Sequence, residues 1–343
     1  MRCAVAMIAS HAGLRGLAAS AVAIGHFTEI FAPGWFLPHT HIAVDFFFLL
    51  SGFILTHVYA ADFAAGLGLR NCGCFLLRRL ARIYPLHLAT LVAILAILRF
   101  HLTPEEAGQL GPQLVLAHAW GLSERYVLNA PSWSISVEFG AYLAFPLLVL
   151  LLGRRGGWLV LAGLSLAGVA LLWPLGAGSL DLHVTGSRHV WLRGLVAFPL
   201  GMLLAALAAR HPAGAAAGWW QGGALAGFVA LIALSTPEMC WLVPMAVMVW
   251  ACAGDRGWIA RIMASRPMVW LGEVSYGIYL IQWVVILALY NIVPKLGFLP
   301  PAALTLATGV LYFGGVLGLA ALSARWYEPT FTRLAHRCRL GRG

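Results

Sequence analysis

One apolar stretch near the start of the chain carries an arginine and a histidine whose spacing could serve chemistry. Arg15 and His26 lie eleven positions apart in LRGLAASAVAIGHF. Eleven helical steps of about 100° return to within about 20° of the same face, so both side chains share one stripe, with His26 about 16 Å farther along. The stripe suits an arginine that holds a phosphate-bearing donor at one rim and a neutral imidazole that moves protons deeper in the membrane.

The role of His26 has two interpretations. A neutral imidazole can remove the proton of an acceptor hydroxyl or, less commonly, carry an acyl group itself. The alternative is a histidine that is hydrogen-bonded to a neighbouring helix and takes no part in chemistry. The shared stripe with Arg15, together with polar residues on other segments, favours the catalytic interpretation.

Two carboxylates also lie in apolar stretches, Asp45 in HIAVDFFFLLSGFIL and Glu138 in PSWSISVEFGAYLAFP. A charged side chain at mid-membrane costs about 2.5 kcal/mol or more, so each is expected to have a partner. We expect Asp45 to pair with a His or Arg of an adjacent helix, where it could orient a catalytic imidazole. We expect Glu138 to pair with His26 or with an acceptor sugar. For both, the alternative is a buried pairing that only fixes helix packing.

Several other polar residues accompany these carboxylates. Ser51-Gly52 is expected to form a close helix contact, because small residues let backbones approach. His41, one helical turn before Asp45, offers that carboxylate a local partner. A later stretch has three polar residues on neighbouring turns that either line a cavity or fill the core: Tyr276, Tyr279 and Gln282.

A basic cluster precedes the third apolar stretch, in CFLLRRLARIYPLHL. Arg79 and Arg82 share one helical face beside Arg78, so guanidinium groups could converge on one phosphate or on the phosphates of coenzyme A. We expect the cluster in a cytoplasmic loop at the mouth of the span, where Tyr84-Pro85 breaks or kinks the helix. The alternative is a topology signal with side chains that reach the lipid headgroups.

The elements that must position these residues follow from composition. The chain has 343 residues, of which 61% are hydrophobic and 10% charged, whereas a soluble domain has about 25% charged residues. Apolar stretches of about 20 residues recur, as a hydrocarbon layer about 30 Å thick requires. The sequence therefore predicts an all-α polytopic membrane bundle with about ten transmembrane helices, at 16–36, 41–60, 84–100, 133–152, 158–173, 190–209, 219–235, 239–253, 268–292 and 301–324.

The net charge of +10 is explained by the placement of basic residues that orients a membrane protein. Nucleic-acid binding is not needed to account for this charge. With the N-terminus inside, 17 of the 22 basic residues fall in cytoplasmic segments. This asymmetry predicts that both termini are cytoplasmic and that the partners include membrane lipid. The five basic residues left outside are Arg99, Arg125, Arg188, Arg193 and Lys295.

One membrane domain is expected to occupy residues 1–343, without an extra soluble domain or a cleaved signal peptide. The connection at roughly 101–132 is expected to form a partly interfacial lid. The six cysteines are assigned to packing, because they form no CxxC pair. The histidines show no HxxxH or HExxH arrangement, so no metal site is expected.

Together these segments resemble the acyltransferase-3 family of membrane O-acyltransferases. The resemblance runs from Leu14 to about Leu334 and rests on six elements in the family's order. They are LRG with the Arg-x10-His pair, AVDFFFLLSGFIL, RRLARIYP, PSWSISVEFGAYLAFP, SYGIYLIQW and WYEP.

The resemblance implies transfer of an acyl group, usually acetyl from acetyl-CoA, to a hydroxyl of a carbohydrate, lipid-linked saccharide or other cell-envelope or secreted molecule at a bacterial inner membrane. It implies that Arg15 and His26 are essential, with His26 as base or acyl relay. Arg79 and Arg82 would bind the donor from the cytoplasm. The family motif positions also include Asp45, Glu138 and Glu328.

Two positions depart from the family pattern. The acidic residue that often precedes GLR is Ala12 here, and the His expected in the ninth-span motif is Gln282. Glutamine donates and accepts hydrogen bonds but takes no proton, so a proton role at that position is lost. His26 remains as the catalytic candidate.

The competing hypothesis is a transporter or flippase for an envelope or lipid-linked substrate, in which the same intramembrane charges line a substrate or proton path. Such proteins commonly have repeated halves. The Arg-x10-His spacing recurs only at Arg325 and His336, after the last apolar stretch. It therefore marks no second half of the chain, which favours the enzyme.

Overall fold

The computed structural model describes residues 7–35, 37–64, 66–121, 125–181 and 186–338. In these ranges the secondary structure is helical, with short connections, and the long helices pack against one another in one bundle. The helices are α1 (Ala9–Phe31), α2 (Ala43–Tyr59), α3 (Leu69–Ile97), α4 (Pro104–Leu114), α5 (Trp133–Leu152), α6 (Gly157–Gly176), α7 (Trp191–Arg210), α8 (Ala217–Ala233), α9 (Leu242–Cys252), α10 (Trp258–Met263), α11 (Arg266–Ile292), α12 (Pro301–Leu322) and α13 (Glu328–Ala335).

Eight helical stretches of the described chain are long and apolar enough to cross a membrane. They contain α2, α3, α5, α6, α7, α8, α11 and α12. The other two predicted spans are also helical: α1 is 23 residues long but carries several polar groups, and α9 belongs to the shorter apolar helix Glu238–Cys252. The prediction of an all-α polytopic membrane bundle is confirmed.

Small residues let α1 lie directly against α11. A Cβ atom added to Gly272 would lie 2.0 Å from the carbonyl oxygen of Ala12, and one added to Gly16 would lie 2.6 Å from the backbone nitrogen of Gly272. Only glycine permits this separation, since any side chain would collide with backbone. The contact brings the helix face of Arg15 against the carbonyl groups of α11.

A second close crossing joins α2 to α7. A Cβ atom on Gly52 would lie 2.0 Å from the carbonyl oxygen of Phe198, and one on Gly201 would lie 2.0 Å from that of Leu49. The predicted close contact at Gly52 is therefore confirmed.

The Arg-rich segment before the third predicted span is helix, so the prediction of a loop there is wrong. α3 begins at Leu69 and continues through Pro85 to Ile97. Pro85 has no N–H to donate to the carbonyl of Ala81. Two carbonyls beside it accept from hydroxyl groups elsewhere in the bundle: Tyr276 donates to Ile83, and Tyr327 donates to Pro85 at 3.1 Å. The helical backbone fixes the directions of the three arginines that follow the first turns of α3.

The helical structure continues past Glu328-Pro329. α12 passes into a π-helical turn at Ser323–Tyr327 and then into α13, with Pro329 in its first turn. A disulfide joins Cys74 of α3 to Cys338 after α13. The assignment of all six cysteines to packing is therefore wrong for this pair.

The connection between α3 and α5 is packed into the bundle. α4 starts with a capping box formed by Thr103 and Glu106, which satisfies free N–H groups of its first turn. Beyond it His118 is fully buried, and its Nε2 lies 3.1 Å from Ser132 Oγ. Burial lowers the pKa of His118 to about 3, so this part of the expected lid is held by a neutral imidazole.

Candidate functional site

A cavity of about 140 Å³ lies between α1, α2, α3, α5 and α11. We call it the inner cavity. Aromatic and aliphatic side chains form much of its wall, but three guanidinium groups and one carboxylate of the described residues also face it. They are Arg15, Arg79, Arg82 and Glu138.

Arg15 is held at the wall of the inner cavity by α11. Its Nη2 donates to the carbonyl oxygen of Gly272 at 2.7 Å, and its Nε donates to Ser275 Oγ at 3.1 Å. These two bonds occupy one edge of a five-donor group, so the guanidinium keeps further N–H groups for a ligand. The glycine-mediated approach of α1 and α11 makes both bonds possible.

Arg79 and Arg82 are positioned by aromatic rings and by a carboxylate. Arg79 Nη2 donates to the hydroxyl of Tyr59 at 3.1 Å, and its guanidinium carbon lies 5.3 Å from the centre of that ring. Arg82 forms an ion pair with Glu328 and lies 5.5 Å from the ring centre of Tyr276. The convergence of Arg79 and Arg82 that their spacing suggested is present, with Arg15 as a third member.

Arg78 has a different environment from its neighbours. Its side chain is buried, and Nη2 donates to the carbonyl oxygen of Cys338 at 2.7 Å. It is absent from the lining of the inner cavity. Arg78 therefore holds the segment after α13 against α3.

Glu138 faces the inner cavity from α5 with a partner that the sequence did not suggest. Ser51 Oγ donates to Glu138 Oε1 at 2.6 Å, a bond that adds to the close helix contact expected of Ser51-Gly52. Tyr142, one turn later on α5, also lines the cavity. Its i+4 spacing from Glu138 is a signal that the sequence offered, since such positions share a helix face.

Asp45 forms a closed ion pair away from the inner cavity. Arg193 of α7 binds it with two bonds, Nε to Oδ1 at 3.0 Å and Nη2 to Oδ2 at 2.5 Å, and both side chains are at most 1% exposed. The guanidinium also donates to the carbonyl oxygen of His41 and covers the ring of Trp133. The partner is thus an arginine on an adjacent helix, one of the alternatives left open, and Asp45 does not orient His26.

The local pair of His41 with Asp45 is absent, because the His41 imidazole turns the other way. His41 Nε2 lies 3.0 Å from Glu238 Oε2, and His39 Nδ1 lies 2.7 Å from Glu238 Oε1. Glu238 also accepts from Leu180 N at 2.7 Å. One carboxylate thereby joins three connections at the end of the bundle opposite the arginine cluster.

His26 lies beyond the inner cavity and does not line it. Its Nδ1 is 3.3 Å from Gln282 Oε1. One further bond fixes the orientation of that amide: Gln282 Nε2 donates to the Tyr279 carbonyl at 2.9 Å. The hydroxyl of Tyr312 lies 3.2 Å from Oε1, but its single proton also faces the carbonyl oxygen of Ala23 at 3.0 Å. Because the amide oxygen only accepts, Nδ1 of a neutral His26 carries the proton and Nε2 keeps a free lone pair, which is the tautomer that a general base needs.

The predicted stripe of Arg15 and His26 is thus split between two environments along α11: Arg15 lines the inner cavity, and His26 does not. Tyr279 lines the inner cavity, and Gln282, three residues later, contacts His26. Tyr276 also lines the cavity, which answers the choice between cavity wall and core for both tyrosines. Neither Glu138 nor Asp45 contacts His26 in the described structure.

The fold and the site define a polytopic membrane protein with a guanidinium-lined cavity among its helices. The chain belongs to the acyltransferase-3 family: the model of this family, described as an acyltransferase domain, matches residues 9–325. It is therefore a membrane acyltransferase.

Two curated relatives agree with this family assignment in different degrees. The acyltransferase MdmB of Streptomyces mycarofaciens is 31% identical over 324 residues, which cover 82% of this chain and 80% of MdmB. Protein 2 in the picA locus of Rhizobium radiobacter is 38% identical over 84 residues, 24% of this chain and 42% of that protein. No solved structure matches the chain significantly.

Proposed function

We propose that this membrane acyltransferase takes an acetyl group from acetyl-CoA on the cytoplasmic side of a bacterial inner membrane. It transfers the group to a hydroxyl of a carbohydrate or another cell-envelope or secreted acceptor. The observation that carries the proposal is the convergence of Arg15, Arg79 and Arg82 on one narrow, largely apolar cavity. Guanidinium groups bind phosphates and oxyanions, while an apolar wall suits an acyl-pantetheine arm.

Acyl transfer from a thioester mainly requires that donor and acceptor be positioned together. The acceptor oxygen attacks the thioester carbonyl, the C–S bond breaks, and the coenzyme A thiolate leaves and takes up a proton. A thioester is already activated, so the protein needs a base for the hydroxyl proton and donors for the developing oxyanion. The unused N–H groups of Arg15 suit the donor at the rim of the cavity.

His26 is the proposed base, with Nε2 as the accepting atom. Gln282 acts on it as a positioning residue, because it fixes the tautomer through Nδ1. The acyl group would advance from the inner cavity past Tyr279, which stands between Arg15 and His26 along α11. Glu138, bound to Ser51, is proposed to contact the acyl group inside the cavity.

Purified protein in liposomes with radiolabelled acetyl-CoA and an envelope extract tests the proposal. Label should become covalently attached to an acceptor. Arg15→Ala and His26→Ala should each lower transfer at least about 100-fold, while His57→Ala, at an exposed position of α2, should retain it. Movement of an unmodified substrate without acylation would establish the transporter hypothesis instead.

The acceptor is found by comparing cells with and without the gene. Mass spectrometry of their saccharides and lipids should reveal one species that lacks a single acetyl group when the gene is absent. An acyl difference found only on protein would contradict the proposed acceptor class.

A further inference from the structure

A second, wider cavity adjoins the inner cavity at the arginine-rich end of the bundle. We call it the vestibule. Its volume is about 590 Å³, against about 140 Å³ for the inner cavity, and Arg15 and Arg82 line both. A ligand that occupies both spaces must therefore have a bulky end and a slim arm that meet beside these two arginines.

The vestibule has a cation that the inner cavity lacks. Arg325 lines it from the π-helical turn between α12 and α13. A π turn adds one residue to the helical repeat and re-aims the side chains that follow, and such turns are frequent at functional sites. In the described structure the contact of Arg325 is the face of Trp326, at 5.7 Å, and the guanidinium makes no hydrogen bond or ion pair with another described residue.

The other two arginines of the vestibule already have partners. Arg82 is paired with Glu328, and Arg15 donates to α11. Glu273 is the remaining carboxylate of the lining and excludes anions from its own side. Arg325 is thus the guanidinium of the described lining with its full set of donors available to an anion.

We infer that the vestibule binds the phosphate-bearing nucleotide end of the coenzyme A thioester, with Arg325 as a phosphate ligand that the sequence motifs did not indicate. Arg15 and Arg82 then mark the threshold past which the pantetheine arm enters the inner cavity. The inference rests on the proposed function. This assignment explains the position of Arg325, on a π turn that lines the vestibule beside Arg15 and Arg82.

Equilibrium binding to the full-length protein in phosphatidylcholine nanodiscs tests this inference. The probes are coenzyme A and adenosine 3′,5′-bisphosphate, which has the nucleotide phosphates without the pantetheine arm. Both should bind the wild-type protein. Arg325→Ala should weaken both at least about tenfold, and Arg325→Lys should recover part of the loss through its point charge. Arg333→Ala is the matched control, at an exposed position of α13 outside both cavities, and should bind both probes as the wild type does.

The outcomes separate this inference from the proposed function. If Arg325→Ala binds coenzyme A as tightly as the wild type, or if the bisphosphate does not bind the wild type, the vestibule assignment is wrong while acyl transfer stands. If phosphatidylglycerol nanodiscs abolish nucleotide binding, the vestibule is a lipid-headgroup site instead. A wild-type protein that binds no coenzyme A would overturn the donor assignment of the proposed function itself.

Discussion

Two arginine sites of this molecule use the same side chain in opposite ways. Arg193 is enclosed: it donates to both oxygens of Asp45 and to a backbone carbonyl, and it has no exposed surface, although its buried Nη1 has no hydrogen-bond partner among the described residues. Arg15, Arg79 and Arg82 instead face a cavity and keep donors free. The difference teaches that a charge in an apolar segment predicts a partner in general, while the access of its free donors to a cavity distinguishes a ligand site from a structural ion pair.

The largest expected effect comes from breaking the structural ion pair of Asp45 and Arg193. Arg193→Ala leaves a buried Asp45 carboxylate without a partner and should destabilise the folded protein by about 3–5 kcal/mol. Thermal unfolding in detergent and the yield of folded protein measure the loss. The double variant Asp45→Leu/Arg193→Met should recover much of it, because no charge remains buried; a single variant as stable as the wild type would contradict the role of the pair.

The next effect concerns the base rather than the donor. Gln282→Leu removes the acceptor for His26 Nδ1 and should lower kcat about 10–100-fold, the cost typical of losing a group that orients a functional imidazole. The KM for acetyl-CoA should change little. Gln282→Glu keeps an acceptor at this position and should retain more activity than the leucine variant. Equal kcat values in the leucine variant and the wild type would remove Gln282 from the mechanism.

A smaller effect separates two neighbouring arginines of α3. Arg79→Ala removes a guanidinium from the inner cavity and should raise the KM for acetyl-CoA about tenfold. Arg78→Ala removes only the contact with the Cys338 carbonyl and should leave that KM within about twofold. Steady-state kinetics of both variants measure the two KM values. If the KM for acetyl-CoA rises equally in both variants, the cluster acts through topology or folding instead of donor binding.

The smallest effect is a pH dependence of stability at the connection between α3 and α5. The pKa of His118 in the folded protein is about 3, below its ordinary value of 6.5, so the folded state favours the neutral ring. Its stabilising effect is complete above pH 6.5 and declines as the pH falls toward 3, by less than about 1 kcal/mol between pH 7 and pH 6. His118→Gln should flatten this part of the curve of unfolding free energy against pH, and an unchanged curve would show that His118 does not titrate on unfolding.

The sequence predicted the helical spans because lipid accepts few other structures, and it identified the residues that lipid would otherwise exclude. The prediction of an arginine-rich loop was wrong because α3 continues through Pro85, helped by hydroxyl groups of Tyr276 and Tyr327 that bind the carbonyls of Ile83 and Pro85. No spacing within α3 shows that help, since both tyrosines lie about 190 or more positions away.

The sequence by itself determined which side chains need partners: Arg15, His26, Asp45 and Glu138 are costly in an apolar segment wherever the helices lie. Only the tertiary structure decided who those partners are. Asp45 and Arg193 are 148 positions apart, and His26 and Gln282 are 256 apart. The rotation and depth of each helix are set by packing at glycines such as Gly16 and Gly272, which fixes at once which polar groups meet and which are left facing a cavity.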